Sequence, residues 1–66
     1  MSVAKVIEIK ARSDKSFEDA IVQGVHKAGE SVQHMQAAWV QDQQVLLDEG
    51  AISGYQVTLK VTFTVS

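Results

Sequence analysis

The 66-residue sequence contains no cysteine, which excludes disulfide bonds and thiolate metal sites. A chain of this length has room for one domain, predicted to span residues 1–66, and it buries only about 60 % of the surface that its unfolded form exposes. Small folds usually add disulfides, a metal ion or partner subunits. Since 45 % of the residues are hydrophobic, enough for a core and an interface, we expect self-association to supply the missing stability.

Charge of one sign and long apolar runs are also scarce. The formal net charge is −2, and the six basic residues are scattered, whereas nucleic-acid-binding proteins tend to carry a basic patch or stripe. No stretch approaches the roughly 20 apolar residues of a membrane span, and the N-terminus lacks the apolar segment of a signal peptide. We therefore expect a cytoplasmic protein that binds neither nucleic acid nor membrane.

Motifs of catalysis are missing as well. The sequence has no GxSxG element and no serine with a suitable histidine and carboxylate, and it has neither GxGxxG nor a P-loop for phosphates. His26 and His34 are eight residues apart on one predicted helix, about 12 Å along its axis, which is too far for them to share a metal ion. We expect no enzyme activity and no metal site at these histidines.

Hydrophobic periodicity predicts a strand and then a helix in the first half of the chain. Val3 to Ala11 is a β-branched run with one mostly apolar side. Ser16 is a suitable N-cap, and the apolar positions from Phe17 to Val32 predict a helix of about five turns. Gly24 lies on the apolar stripe of this helix, either because the helix approaches the sheet closely there or as a tolerated weak position.

Two further strands are predicted after the helix, and they are expected to form a hairpin. One side of the strand from Gln36 to Leu47 is predicted to carry Ala37, Trp39, Gln41, Gln43, Val45 and Leu47. Asp48-Glu49-Gly50 is a turn signal. In the last strand Val57, Leu59 and Val61 point one way, and Gln56, Thr58 and Lys60 point the other way. The predicted fold class is α+β, a β-α-β-β subunit with a three-stranded antiparallel sheet wrapped on one helix.

Three segments of the chain carry a likeness to a known family. KVIEI (Lys5 to Ile9), SFEDAI (Ser16 to Ile21) and YQVTLKVTF (Tyr55 to Phe63) resemble the first strand, the helix start and the last strand of the dodecins, which are small bacterial and archaeal flavin-binding proteins. The likeness runs end to end without a gap. It implies a hollow homododecamer built from trimers, which stores and sequesters flavins of the riboflavin or FMN type as stacked pairs at subunit interfaces.

The resemblance also implies a ligand site. In dodecins a tryptophan early in the second strand stacks on the isoalloxazine ring, and a glutamine on the last strand hydrogen-bonds the pyrimidine edge. Gln56 stands at the position of that glutamine. The tryptophan position falls on Ala37, whereas Trp39 comes two residues later, on the same face and about 7 Å away. The resemblance therefore implies flavin binding by Trp39 and Gln56, with Ala37 providing space.

Two interpretations of Trp39 remain open. Its indole either takes over the stacking role, worth about 0.5–1.5 kcal/mol beyond area burial, or fills a subunit interface, where tryptophan is enriched. The second interpretation goes with a flavin-free assembly that is structural or binds calcium through Asp42, Asp48 and Glu49, although the sequence shows no DxDxDG-type loop. A Trp39→Ala variant separates the two, because it loses either flavin affinity or the oligomer.

Overall fold

The computed structural model describes residues 3–65, which form β1 (Ala4–Ser13), α1 (Phe17–Ala28), β2 (Met35–Asp48) and β3 (Ala51–Thr64). This is the β-α-β-β order that the sequence predicts. β3 lies in the middle of a three-stranded antiparallel sheet, with β1 and β2 on either side. Residues 1, 2 and 66 of the predicted domain lie outside the described residues.

Helix α1 packs on one face of the sheet, and the core forms between the two layers. The buried apolar residues are Ala20, Ala28, Val57, Leu59 and Val61. The last three are the inward positions of the alternation predicted for β3, and Ile7, Ile9 and Ala11 of β1 pack on the same core. No helical segment within residues 3–65 has the length and apolarity that crossing a membrane requires.

Helix α1 is shorter than the sequence predicts. Ser16 is the N-cap, as expected, and its hydroxyl oxygen accepts a hydrogen bond from a backbone N–H of the first turn at 2.9 Å. The helix ends at Ala28 and not at Val32, so it has 12 residues, little more than three turns. Gly29 caps the C-terminus, and a tight turn follows that carries the chain toward β2, with His34 at a φ of 61°.

Gly24 marks the closest approach of α1 to the sheet. A Cβ atom at this position would lie 2.9 Å from Leu59 Cδ1 and 3.0 Å from Ala11 Cβ, which is closer than side-chain atoms pack. The first interpretation of this glycine, close approach of the helix to the sheet, is therefore the correct one.

The alternation of β2 is interrupted, which the sequence does not reveal. The register of β2 against β3 shifts between Val40 and Asp42, so that Gln41 is an extra residue without a partner on β3. A bulge of this kind reverses the faces of the residues that follow it. Asp42 and Gln44 therefore lie on the same side as Trp39, and the prediction that Gln43, Val45 and Leu47 share that side is wrong.

The hairpin of β2 and β3 extends beyond the rest of the molecule as an arm, defined here as residues 45–54. β1 ends at Ser13, opposite Tyr55. The centroids of the Tyr55 and Phe17 rings lie 5.1 Å apart in an edge-to-face arrangement, and this contact closes the core at this end. The turn at Glu49 and Gly50, both with positive φ, is the predicted one. The molecule is 51 Å long but only 18 Å and 14 Å across.

Candidate functional site

The face of the sheet opposite α1, called the outer face here, carries the three residues singled out from the sequence. Directly opposed residues share a face of a sheet, and Ala37 opposes Thr62 while Trp39 opposes Lys60. Gln56 lies on β3 between residues that point into the core, so its side chain also points away from α1. Ala37, Trp39 and Gln56 therefore belong to one surface.

Trp39 is the most prominent side chain of the outer face. It is 63 % exposed, although an indole has much apolar area to bury. The Lys60 ammonium nitrogen lies 5.5 Å from the centre of its ring, a cation–π contact. Glu8 of β1 lies on the other side of Lys60, so the surroundings of the indole are polar and charged. The core of its own chain does not cover this residue.

Gln56 forms an amide pair that the sequence did not indicate. Its side-chain nitrogen donates a hydrogen bond to the Gln44 side-chain oxygen at 3.1 Å, and Arg12 lies opposite Gln56 on β1. A primary amide has two N–H donors and one acceptor oxygen, so each glutamine retains capacity for another partner. Strict alternation along β2 puts Gln44 on the side opposite Trp39, and only the register between β2 and β3 identifies it as the partner of Gln56.

Trp39 and Gln56 lie on the same face of the sheet but are not next to each other. Trp39 opposes Lys60, which is four residues from Gln56 along β3, a distance of about 13 Å at 3.3 Å per residue. Ala37 lies next to Trp39, on the side that points away from Gln56. Within one chain the structure does not bring the indole and the Gln56 amide together around a single ring system.

The acidic residues that were considered for calcium are also dispersed. Asp42 lies on the outer face opposite Thr58, whereas Asp48 and Glu49 are at the tip of the arm. Within residues 3–65 there is no group of three or more histidine, aspartate or glutamate side chains that could hold a metal ion.

Asp19, at the N-terminus of α1, is held by local hydrogen bonds. The Ser13 hydroxyl and the Gln23 amide both donate to its carboxylate. The Ser13 hydrogen bond is the largest influence on the Asp19 pKa, which lies below its ordinary value of 3.8, although desolvation acts in the opposite direction. This carboxylate belongs to the connection between β1 and α1 and serves the fold.

Comparison of the sequence with known families and proteins gives two findings. A sequence model of the Dodecin family matches residues 3–66. The calcium dodecin of Mycobacterium tuberculosis is 36 % identical over 63 residues, which are 96 % of this chain and 89 % of that protein.

Solved structures match the fold over nearly the whole chain. An arginine-to-alanine mutant of the Thermus thermophilus dodecin superposes with a TM-score of 0.92 at 26 % identity, covering 100 % of this chain and 98 % of that one. The Streptomyces davaonensis dodecin gives a TM-score of 0.92 at 26 % identity, with 98 % and 96 % covered. The crystal structure of the M. tuberculosis calcium dodecin, described as calcium-chelating with a novel calcium-binding site, gives 0.86 at 34 % identity, with 98 % and 93 % covered.

Proposed function

This chain belongs to the dodecin family, and from that membership we propose that it assembles with copies of itself and holds a flavin of the riboflavin or FMN type on the outer face, between subunits. Structures of the family are homo-oligomeric. The proposed role is storage and sequestration of the flavin, a binding function without catalysis. An assembly of twelve copies and a location in the cytoplasm are parts of the same proposal.

The exposure of Trp39 is the observation that supports flavin binding most directly. An indole that is 63 % exposed leaves a large apolar surface in contact with water, and aromatic rings gain about 0.5–1.5 kcal/mol from stacking beyond area burial. The Lys60 ammonium lies over this ring, so a flat ligand would stack on the remaining side or displace the lysine. The isoalloxazine ring is flat and apolar enough for such a contact.

The amide of Gln56 suits the other requirement of a flavin, whose pyrimidine edge presents both donors and acceptors. Gln56 is held in place by Gln44 and keeps donor and acceptor capacity. Since Trp39 and Gln56 are about 13 Å apart in one chain, we propose that one subunit supplies the indole and a neighbouring subunit supplies the amide. The ligand site would then exist only in the assembled protein.

A riboflavin titration of the ligand-free protein tests the proposal. Because the chain has a single tryptophan, any change in indole emission reports on Trp39. We expect riboflavin and tryptophan fluorescence to be quenched together and to saturate at a fixed ratio of flavin to subunit. Unchanged emission of both at micromolar protein would reject flavin binding.

Matched variants separate stacking from packing at the interface. Trp39→Phe keeps an aromatic ring and should retain most of the affinity, whereas Trp39→Ala should weaken riboflavin binding about tenfold or more, with flavin emission as the readout. The molar mass from light scattering should stay that of the oligomer in both variants. Dissociation of the Trp39→Ala oligomer would instead identify Trp39 as an interface residue and favour a flavin-free assembly.

Calcium is a second candidate ligand, because the related M. tuberculosis protein is named for it. Within residues 3–65 no three acidic or histidine side chains of one chain come together as a metal site, and the candidate site for calcium lies between subunits. Titration calorimetry with calcium chloride tests this candidate, with Asp42→Asn as the variant and magnesium chloride as the control. Heat that saturates with calcium and is lost in Asp42→Asn would support it, and the absence of heat in the wild-type protein would reject it.

A further inference from the structure

The side chain of Arg12 lies across the outer face, over Gly54. A Cβ atom at Gly54 would be 3.2 Å from Arg12 Nε and 3.6 Å from Arg12 Nη2, so the guanidinium group occupies space that any other residue would fill with its own side chain. Gly54 is buried although it belongs to the arm. The missing side chain at this position therefore allows Arg12 to lie flat against β3.

The charge of Arg12 lies close to the Gln56 amide. Arg12 opposes Gln56 directly, and Gly54, on which the guanidinium lies, is one strand repeat from Gln56, about 7 Å along β3. Within residues 3–65 the only side-chain ion pair joins Lys27 to Glu30. No carboxylate of this part of the chain therefore neutralises Arg12.

The neighbouring row of the outer face adds one charge of each sign. Lys10 and Asp42 oppose Thr58 from its two sides. Because the formal charges of these two side chains cancel, the charge of Arg12 makes this end of the outer face positive. Trp39 lies at the other end, about 13 Å away along the strands.

A flavin whose pyrimidine edge lies on the Gln56 amide would have this positive charge at the same edge. The oxidised isoalloxazine ring is neutral. Reduction adds two electrons and one proton, and the product is an anion whose negative charge is centred on N1 and the neighbouring C2 carbonyl oxygen, both at the pyrimidine edge. Protein charges near N1 are among the groups that tune the electronics of a bound flavin.

We infer that Arg12 selects the redox state of the ligand, because it strengthens the binding of the reduced, anionic flavin relative to the oxidised flavin. An opposite charge about 7 Å away attracts the anion but leaves the neutral ring almost unaffected. The exposure of Arg12 to water reduces this attraction, and we expect a preference of about tenfold. The inference rests on the proposed flavin function and adds the redox state that the site favours.

The midpoint potential of riboflavin bound to the protein tests the inference. Riboflavin carries no phosphate group that could bind Arg12 instead. The potential is measured without oxygen against a reference dye, at mildly alkaline pH where reduced flavin is anionic, with dithionite as the electron donor that is oxidised to sulfite. A tenfold preference corresponds to about 30 mV for a two-electron couple. We expect the wild-type potential to be more positive than that of Arg12→Gln by about this amount, and equal potentials would reject the inference.

Two further variants separate the position of the charge from its mere presence. Lys5→Gln removes a positive charge from the other end of β1, opposite Phe63, and should leave the potential unchanged. Gly54→Ala keeps every charge but displaces the guanidinium, so it should shift the potential part of the way toward that of Arg12→Gln. Equal shifts in Lys5→Gln and Arg12→Gln would indicate an effect of net charge and overturn the role of Arg12.

The failure of this inference can be told apart from the failure of the flavin function. Saturable binding of oxidised riboflavin, with equal potentials in wild type and Arg12→Gln, would retain the flavin function and reject the role of Arg12. No binding in either redox state would reject both. If Arg12→Gln lost affinity for FMN while the riboflavin potential stayed the same, Arg12 would be a phosphate ligand, and the inference would again be overturned.

Discussion

Gly24 and Gly29 lie five residues apart, one inside α1 and one at its end, and their surroundings differ. A Cβ at Gly24 would meet side-chain atoms of Leu59 and Ala11 within 3.0 Å, whereas at Gly29 its one tight contact would be the flexible end of Met35 at 3.1 Å, with backbone oxygens at the ordinary distances of 3.4 and 3.6 Å. The backbone at Gly29 has a φ of −64°, which any residue adopts. The steric surroundings therefore distinguish two glycines that look alike in the sequence.

We expect Gly24→Ala to lower the free energy of unfolding by about 1 kcal/mol. Overpacking costs about 1–3 kcal/mol, and the better helix propensity of alanine offsets about 1 kcal/mol of it. Gly29→Ala should be neutral or stabilising by up to about 1 kcal/mol. Urea unfolding of both variants at the same protein concentration checks this, and equal midpoints for the two variants would contradict the role given to Gly24.

The Asp19 carboxylate makes stability depend on pH in the acid range. Hydrogen bonds from Ser13 and Gln23, with the charge of Lys15, hold its pKa below 3.8 in the folded state in spite of desolvation. A group with a lowered folded pKa contributes its full stabilisation above the unfolded pKa, and the contribution is lost as the pH falls from there through the folded value. Protonation should therefore weaken the connection between β1 and α1.

Asp19→Asn should be less stable than the wild-type protein at neutral pH, and the difference should disappear as the pH falls below about 4. Urea midpoints of the two proteins measured across this range test the expectation. Ser13→Ala removes the largest influence on the pKa and should show an intermediate pH dependence. A difference between wild type and Asp19→Asn that stays constant down to about pH 2 would contradict it.

Among the elements, β3 was predicted well and β2 was not. The alternation of β3 is regular from Tyr55 to Phe63, so the sequence alone placed Gln56 on the outer face. The extra residues Gln36 and Gln41 in β2 shift the register one way, and the extra residue Ser53 in β3 shifts it the other way. The shifts at Gln41 and Ser53 cancel for Trp39, whereas strict alternation assigns the β2 residues after Gln41 to the wrong faces.

The end of α1 and the partner of Gln56 escaped sequence reasoning for a related reason. Val32 continues the apolar spacing of the helix, but the return of the chain to β2 ends α1 at Ala28. Gln44 is identified as the partner of Gln56 only by the pairing of β2 with β3. Local patterns identify elements, and contacts between distant segments decide where elements end and which residues oppose each other.

Deletion of single glutamines in β2 provides a test of the bulge. Removal of Gln41 leaves Val40 opposite Leu59 and Asp42 opposite Thr58, so we expect the free energy of unfolding to change by less than about 0.5 kcal/mol. Removal of Gln43 also closes the strand, but it places Asp42 opposite Val57 on the side of α1, so it should cost about 1 kcal/mol more than removal of Gln41. Urea unfolding of the two deletion variants measures this, and equal losses would contradict the assignment of Gln41 as the extra residue.

For the whole molecule, stability and assembly should be linked. A chain of 66 residues buries a smaller share of its surface than a larger domain does, and large apolar side chains such as Val6, Trp39 and Leu47 are more than half exposed. Because association stabilises the folded chain by mass action, the thermal midpoint should rise with protein concentration. Circular dichroism over about a hundredfold range of concentration tests this, and a constant midpoint in a monomeric protein would contradict it.

The middle strand of the sheet is also the last of the three to be synthesised. The first residue of β1, Ala4, pairs with the last residue of β3, Thr64, whereas β2 and β3 are joined by a short turn and pair locally. During translation β1 therefore has no partner strand, and the apolar side chains of Ile7 and Ile9 are not covered by β3, until almost all of β3 has emerged. Closing so long a loop is slow compared with forming a hairpin. We therefore expect the pairing of β1 with β3 to be the slow step in forming a subunit that is able to assemble.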